Sequence, residues 1–502
     1  MSTVRERTMG CWLGKAVGGT LGQTFEGLTG PLQADYYRPV PEAMVPNDDL
    51  DLQVVYACLI RDLDQPRVDR QLLADGWLRH VQFPWNEYGV GLRNLREGIR
   101  PPHSGRFDNW FTCGEGAAIR AELWACLAPG DPDRAQAYCY EDACFDHDGD
   151  GLVAALFWAR LESAAFAGSD PRRLIETALQ NLPNGGGGIA QVVRDTLGWV
   201  DQGLDWTQVR ARTVERYGND DFTDVRVNTG FVITGWLTGR TFGERILICN
   251  NCGGDCDSST ATLGALLGIL GPDQIEPRWL HPIGCDLVLS DQIVGLDAPA
   301  TLDDFTDLVE SLRDRLAQQP HQAAPDGPFD PSRWAVPVRM GFTTTEHGGW
   351  DIRDQTELPP PGSAEISAEL VETTVPGTWL RLDRDDFADR ILVLEYSLDS
   401  HGTSPVRLML NCSEHLRAWL DGTFLHAAQA SSYMFPAPHM PPVGQYLDLE
   451  LAPGQHRLRL AVRRPPDHRD QAELVVALVD AATHQWIPNA LRPTPPVPEE
   501  KA

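Results

Sequence analysis

The sequence predicts a multidomain α plus β protein: an all-α helical domain over residues 1–317 and an all-β sandwich over residues 334–490. Three observations predict it. Apolar residues recur at i, i+3, i+4 and i+7 through most of the chain before residue 317. Residues 318–333, rich in Gln, Pro and Asp, have the composition of a linker. After them, short segments alternate apolar and polar residues between turn residues, which is the period of strands. The Pro-rich stretch 491–502 reads as a disordered tail.

The bulk properties agree. A chain of 502 residues exceeds one ordinary hydrophobic core, and 42% hydrophobic with 23% charged residues is a soluble globular composition. The formal charge of −29 argues against a nucleic-acid or anionic-membrane surface. The start, Met1 to Arg7, lacks the apolar core of a signal peptide, and no run approaches the roughly 18 apolar residues of a membrane span. Eleven scattered cysteines, mostly in apolar surroundings, fit reduced buried thiols and a cytoplasmic protein. Cys249 and Cys252 form a lone CxxC with no second pair, so a zinc or redox role is not read there.

The first helix carries Met9, Trp12, Leu13, Ala16 and Val17 as an apolar stripe, with Gly10, Gly14, Gly18 and Gly22 beside it at every fourth position. A helical Gly costs about 1 kcal/mol against Ala, so four in register imply another backbone packed closely against them. A helix starting near Ser258 repeats the device with Gly264 and Gly268, and the two read as central helices of one bundle. Between them, helices are expected over 49–63, 116–126, 151–166, 170–182 and 189–200. Strands are expected over 379–382, 391–396, 406–410, 416–420, 446–451, 456–462 and 472–478.

Three acidic stretches carry the chemistry. Asn250-Asn-Cys-Gly-Gly-Asp255-Cys-Asp257-Ser258 opens the Gly264 helix and offers hard oxygens on a short arc, as Mg²⁺, Mn²⁺ or Ca²⁺ requires. The plainer reading is that Asp257 caps the helix and complements its dipole, and the stretch alone leaves both open. Asn47-Asp48-Asp49-Leu50-Asp51 opens a second helix, where Asn47 or Asp48 could be the N-cap. Glu26 follows the Gly-rich helix, where a carboxylate is unfavourable to the helix dipole. Two acidic clusters, each at the start of an apolar-faced helix, make a dinuclear oxygen-ligand site attractive.

Taken in order, Gly14 to Gly27, Asn47-Asp48-Asp49, Cys113 to Arg120, Asp146-His147-Asp148-Gly149-Asp150-Gly151 and Gly253 to Ser258 resemble the ADP-ribosylglycohydrolase family over about residues 8–290. The resemblance implies an all-α fold around two Mg²⁺ or Mn²⁺ ions. It implies metal ligands at Asp48, Asp49, Asp255, Asp257 and Ser258, with the Asn47 amide oxygen available beside them. It places Glu26, together with Asp49, in the catalytic role, and Gly114, Glu115, Gly116, His147 and Asp148 on the segments that line the ADP-ribose pocket. The implied reaction is hydrolysis of the bond between the anomeric ribose carbon and an acceptor, free or protein-linked. A metal pair suits it by orienting ribose hydroxyls and activating water, while carboxylates stabilise an oxocarbenium-like transition state.

The chain departs from the family pattern at Gly19, Asn47 and Leu50, where Asp, Thr and Thr are usual. Those departures keep two other readings open: a glycosidase acting on a non-nucleotide riboside or furanoside, and an inactive ADP-ribose-binding relative. In the C-terminal half, Leu416 to Gly422 and the hairpin pattern 447–460 resemble the jelly-roll modules attached to glycosidases. That resemblance implies either a carbohydrate contact or a structural, homo-oligomer surface.

Overall fold

The computed structural model describes residues 2–318, 321, 323, 325–344, 350, 364–383, 390–400, 402, 405–431, 434–440, 446–464, 471–488, 490 and 491. The tail expected over 491–502 lies, from 492 on, outside the described residues. The chain forms a helical unit followed by strands in two antiparallel sheets, the expected α plus β arrangement. One compact unit comprises residues 1–83, 100–106 and 111–327, and the other 84–99, 107–110 and 328–502.

In the helical unit the Gly stripe does what its spacing requires. The helix Val4–Gly22 runs antiparallel to the helix Cys256–Leu270, with Gly10 against Gly268, Gly14 against Gly264, Gly18 against Thr260 and Gly22 against Cys256. A Cβ on Gly14 would stand 2.0 Å from the Gly264 carbonyl oxygen, so the backbones touch and only glycine fits. Trp12, Val17, Leu263 and Leu266 are buried around this seam.

The expected helices are found as Asp48–Arg61, Gly149–Ala165, Pro171–Leu179 and Gly187–Asp201, with further helices such as Val225–Thr238 and Phe242–Asn251. One expectation fails. Residues 116–126 are not a continuous helix but a 3₁₀ turn, Ala118–Arg120, then a short helix, Glu122–Leu127. The Arg120 guanidinium bonds the Gly116 carbonyl at 2.8 Å, taking the acceptor that a continuous helix would offer to the Arg120 amide.

The second unit contains β1 (Ala335–Thr344), β2 (Val371–Pro376), β3 (Trp379–Asp383), β4 (Arg390–Ser400), β5 (Val406–Cys412), β6 (His415–Leu420), β7 (Thr423–Ala428), β8 (Tyr446–Leu449), β9 (Gly454–Arg463) and β10 (Gln471–Asp480). The sheets have the orders β2-β1-β4-β9-β6-β7 and β3-β10-β5-β8. Leu394 and Leu460 of one sheet share a core with Leu410 and Val476 of the other, which makes a sandwich. The helix Asn86–Arg96 belongs to this unit: its Arg93 pairs with Asp108 at 3.1 Å, and Asp108 accepts bonds from the Thr378 and Trp379 amides. Strands β1, β2 and β7 were not anticipated, since Pro337 interrupts the first and Val371-Glu-Thr-Thr is mostly exposed.

Candidate metal and active site

The close helix seam fixes the register of the site. Gly22 ends the first helix against the backbone of Cys256 and Asp257, so the turn that follows must pass the start of the Cys256–Leu270 helix. That turn, Gln23–Phe25, delivers Glu26. The two loops are then stitched together: the Gly27 amide bonds the Gly254 carbonyl at 3.0 Å and the Gly254 amide bonds the Leu28 carbonyl at 3.0 Å. Gly253 and Gly254 reach this conformation with φ of +81° and +82°, open to glycine at little cost. Asn228 supports the loop from the next helix, its Oδ1 accepting the Asp255 amide at 3.4 Å.

The result is a convergence of carboxylates. Single oxygens of Glu26, Asp255 and Asp257 lie within 4.8 Å of one another, the one group of that kind among the described residues. Asp255 is the N-cap residue of its helix but makes no side-chain cap bond, and Asp257 Oδ1 has no hydrogen-bond partner. Both residues are buried, 7% and 8% exposed. Capping therefore does not account for them. Ser258 is buried beside Asp257 in the same turn.

On the opposite side Asn47 does cap its helix, its Oδ1 accepting the Asp49 amide at 2.9 Å, and its Nδ2 faces Asp257 Oδ2 at 3.5 Å. Asp48 opens the helix, and its charge is felt by Glu26 and Asp257. Asp49 is 1% exposed, with Oδ1 on the Lys15 ammonium at 3.2 Å and Oδ2 without a partner. Asp51 is structural instead, accepting the Ser290 amide at 3.0 Å.

Burial and crowding shift Glu26, Asp255, Asp257 and Glu115 upward. Loss of hydration, then the charges of Asp48 and Asp49, pushes Glu26 up to about 7, although the residue as a whole is exposed. Burial, then Glu26 and Asp48, pushes Asp257 up to about 7. Burial, then Asp257, Glu115 and Glu26, raises Asp255 well above the usual carboxylate range. Glu115 is raised well above its own by burial, then by Asp49 and Asp257, and its Oε2 is unpartnered. Carboxylates that raise one another and leave oxygens unsatisfied are the donor set of a hard divalent cation. The residues present fit such an ion at Glu26, Asp255 and Asp257.

The remaining expected residues stand around this centre. Gly114, Glu115 and Gly116 form a buried turn, tied to the Val225 amide through the Cys113 carbonyl. His147 is 1% exposed; its Nδ1 bonds Asp146 at 2.7 Å and its Nε2 faces the Ala117 amide at 3.4 Å, so it supports that turn. Arg120 bridges Asp146 and Asp142 behind it. Asp148 is half-buried at the head of the Gly149–Ala165 helix.

Sequence reasoning missed a charge chain under the site. Lys15 bonds Glu122 at 2.8 Å as well as Asp49, and Gln53 bonds Glu122 at 2.9 Å. Burial works against the Lys15 charge, but Glu122 and Asp49 outweigh it and keep the ammonium protonated. Glu162 is fully buried nearby with neither oxygen partnered, and burial, then Glu122, raises its carboxyl well above the usual range. A lone Lys or Glu inside an apolar helix gives no pattern; only the i, i+4 relation of Lys15 to Gly19 hinted at a shared face.

All eleven cysteines are free thiols, and most are buried, as expected. No helix among the described residues is long and apolar enough to cross a membrane.

The family model described as ADP-ribosylglycohydrolase matches residues 1–322. No curated protein matches the chain. Among solved structures, an "ADP-ribosylglycohydrolase-related protein complex" is 20% identical, with 63% of this chain and 98% of that chain covered at a TM-score of 0.44. A β-glucosidase from Kluyveromyces marxianus in complex with glucose covers 32% of this chain and 18% of its own at 8% identity and a TM-score of 0.19. The GH31 α-xylosidase Xac1773 from Xanthomonas citri covers 28% and 14% at 11% identity and a TM-score of 0.16.

Proposed function

The chain belongs to the ADP-ribosylglycohydrolase family, and on that premise we propose that it is a metal-dependent hydrolase of an ADP-ribosyl bond at the anomeric ribose carbon. The observation that carries this reading is the convergence of carboxylate oxygens from Glu26, Asp255 and Asp257 within 4.8 Å of one another, with the buried Asp257 Oδ1 left without a partner. Those three residues, with Asp48, Asp49 and Ser258 beside them, are the ones that would hold Mg²⁺ or Mn²⁺. When bound, such an ion orients ribose hydroxyls and polarises the reacting centre.

The chain's own residues supply the rest. Glu26 stands exposed at the edge of the cluster, the one carboxylate of the three that faces solvent, where it can meet a water. It is the residue we assign to deprotonate the attacking water. As the bond from the anomeric carbon to the acceptor breaks, the water oxygen takes the acceptor's place and the acceptor leaves with the proton that Glu26 took from the water. Neighbouring carboxylates stabilise the positive charge that develops on the ribose. The Gly114–Gly116 turn, supported by His147, is assigned to seat the ADP-ribose.

A second reading, hydrolysis of a non-nucleotide riboside, is favoured by Gly19 and Asn47 standing where the family pattern has Asp and Thr. Turnover of an ADP-ribosylated peptide against aryl ribofuranosides, with and without Mn²⁺, separates the two. The Asp255→Asn, Asp257→Asn variant should lose both metal binding and turnover while staying folded. Metal-independent turnover that survives in that variant would falsify the proposal.

A further inference from the structure

We propose that the chain holds one divalent cation, at Glu26, Asp255 and Asp257, and that the Lys15 ammonium supplies the positive charge on the Asn47–Asp49 side where a second ion would otherwise sit. The inference rests on the metal-dependent reading above and concerns how many ions that site takes.

The two sides of the site differ in what their oxygens are doing. On the Asp255 side they are unspent: Asp255 caps nothing, Asp257 Oδ1 has no partner, and Glu26 reaches both. On the Asn47 side they are largely spent. The single side-chain oxygen of Asn47 is used by the Asp49 amide at 2.9 Å, so the group it turns toward Asp257 is Nδ2, at 3.5 Å. An amide NH₂ donates hydrogens and cannot ligate a cation. Asp49 Oδ1 is already on the Lys15 ammonium at 3.2 Å. Apart from the Asp48 carboxylate, what remains on that side is Asp49 Oδ2, so a second ion would have to draw most of its shell from water. Asp48 opens the same helix between Asn47 and Asp49, and its charge reaches Glu26 and Asp257 as well as Asp49, so it can lend its carboxylate to the one ion.

Lys15, Gly19 and Asn47 form one linked arrangement. Lys15 and Gly19 are one turn apart on the first helix. A Cβ at position 19 would stand 2.7 Å from Asn47 Nδ2, so Gly19 is what lets the Asn47 amide turn toward Asp257. Glu122 anchors Lys15 from the far side at 2.8 Å, and the residue is 1% exposed, so this cation is fixed and cannot be chelated away.

The test is native mass spectrometry of the metal-stripped full chain titrated with Mn²⁺, with electron paramagnetic resonance on the same samples. One Mn²⁺ per chain, with the resolved hyperfine pattern of an isolated ion, is expected. Two per chain, or an exchange-coupled spectrum, overturns the inference and leaves the metal-dependent function standing. No bound Mn²⁺ overturns both. The Lys15→Gln, Asn47→Thr variant frees oxygens on the second side, and its stoichiometry should rise toward two; a folded variant that still takes one ion removes Lys15 from the role. If that variant does not fold, the wild-type count decides.

Discussion

Gly14 and Gly264 face each other across the two central helices so closely that a Cβ on the first would stand 2.0 Å from the carbonyl oxygen of the second. That contact holds the register which brings Glu26 to Asp255 and Asp257. An isolated helix gains about 1 kcal/mol from Gly→Ala; here the sign should invert. Gly14→Ala is expected to destabilise the helical unit at the upper end of about 1–3 kcal/mol, because backbone and not a flexible side chain must move. Calorimetric unfolding measures it, and a stabilised variant would contradict the packing.

The crowded acids predict an unusual pH response of the metal-free protein. Glu26 and Asp257 are raised to about 7 and Asp51 to about 8, all above their ordinary carboxylate values. A raised carboxyl binds its proton more tightly folded than unfolded, so its contribution is present at acid pH and is lost as pH climbs toward 7–8. The metal-free melting temperature should therefore fall between about pH 5 and pH 8. Mg²⁺ or Mn²⁺ should flatten the fall by giving the charged carboxylates a partner. Melting curves over pH, with chelator and with metal, check it.

Arg120 lies between Asp142 and Asp146 with no exposure, and Asp146 in turn holds His147. Arg120→Met would leave two buried carboxylates without their cation, at a cost of about 3–5 kcal/mol. Asp146→Asn keeps the shape and is expected to be milder in stability while raising KM more than it lowers kcat. Denaturant titration and steady-state kinetics separate the two effects.

The β6–β7 turn is two residues, Asp421 and Gly422, with φ of +50° and +83°. Gly422→Ala should cost about 1–2 kcal/mol for placing a Cβ in the left-handed region. The loss should appear in the β unit alone. Amide exchange is expected to quicken in β6 and β7 and to stay unchanged around Gly14 and Gly264.

Much of this was legible in the chain. Gly10, Gly14, Gly18 and Gly22 announced a backbone contact because nothing else explains four helical glycines at one spacing. Asp255 and Asp257 left capping and a cation both open, and the ordered resemblance of the surrounding motifs favoured the cation. The break at Arg120 was not legible, since it depends on a side chain reaching the Gly116 carbonyl. Nor were β1 and β2, since Pro337 argues locally against the first and the second lacks an alternating apolar face, yet their sheet neighbours impose both.

The sequence alone determined which residue types the site contains and which helices begin with them, because caps, periodicity and glycine spacing are local. Only the tertiary structure decided what those residues are free to do. The Asp255 side chain makes no cap bond while Asn47 spends its oxygen on one. Lys15, lying 34 residues from Asp49 in the chain, takes one of that carboxylate's oxygens. The reason is physical: whether a buried oxygen is spent depends on every donor that packs against it, and those donors come from helices distant in the chain.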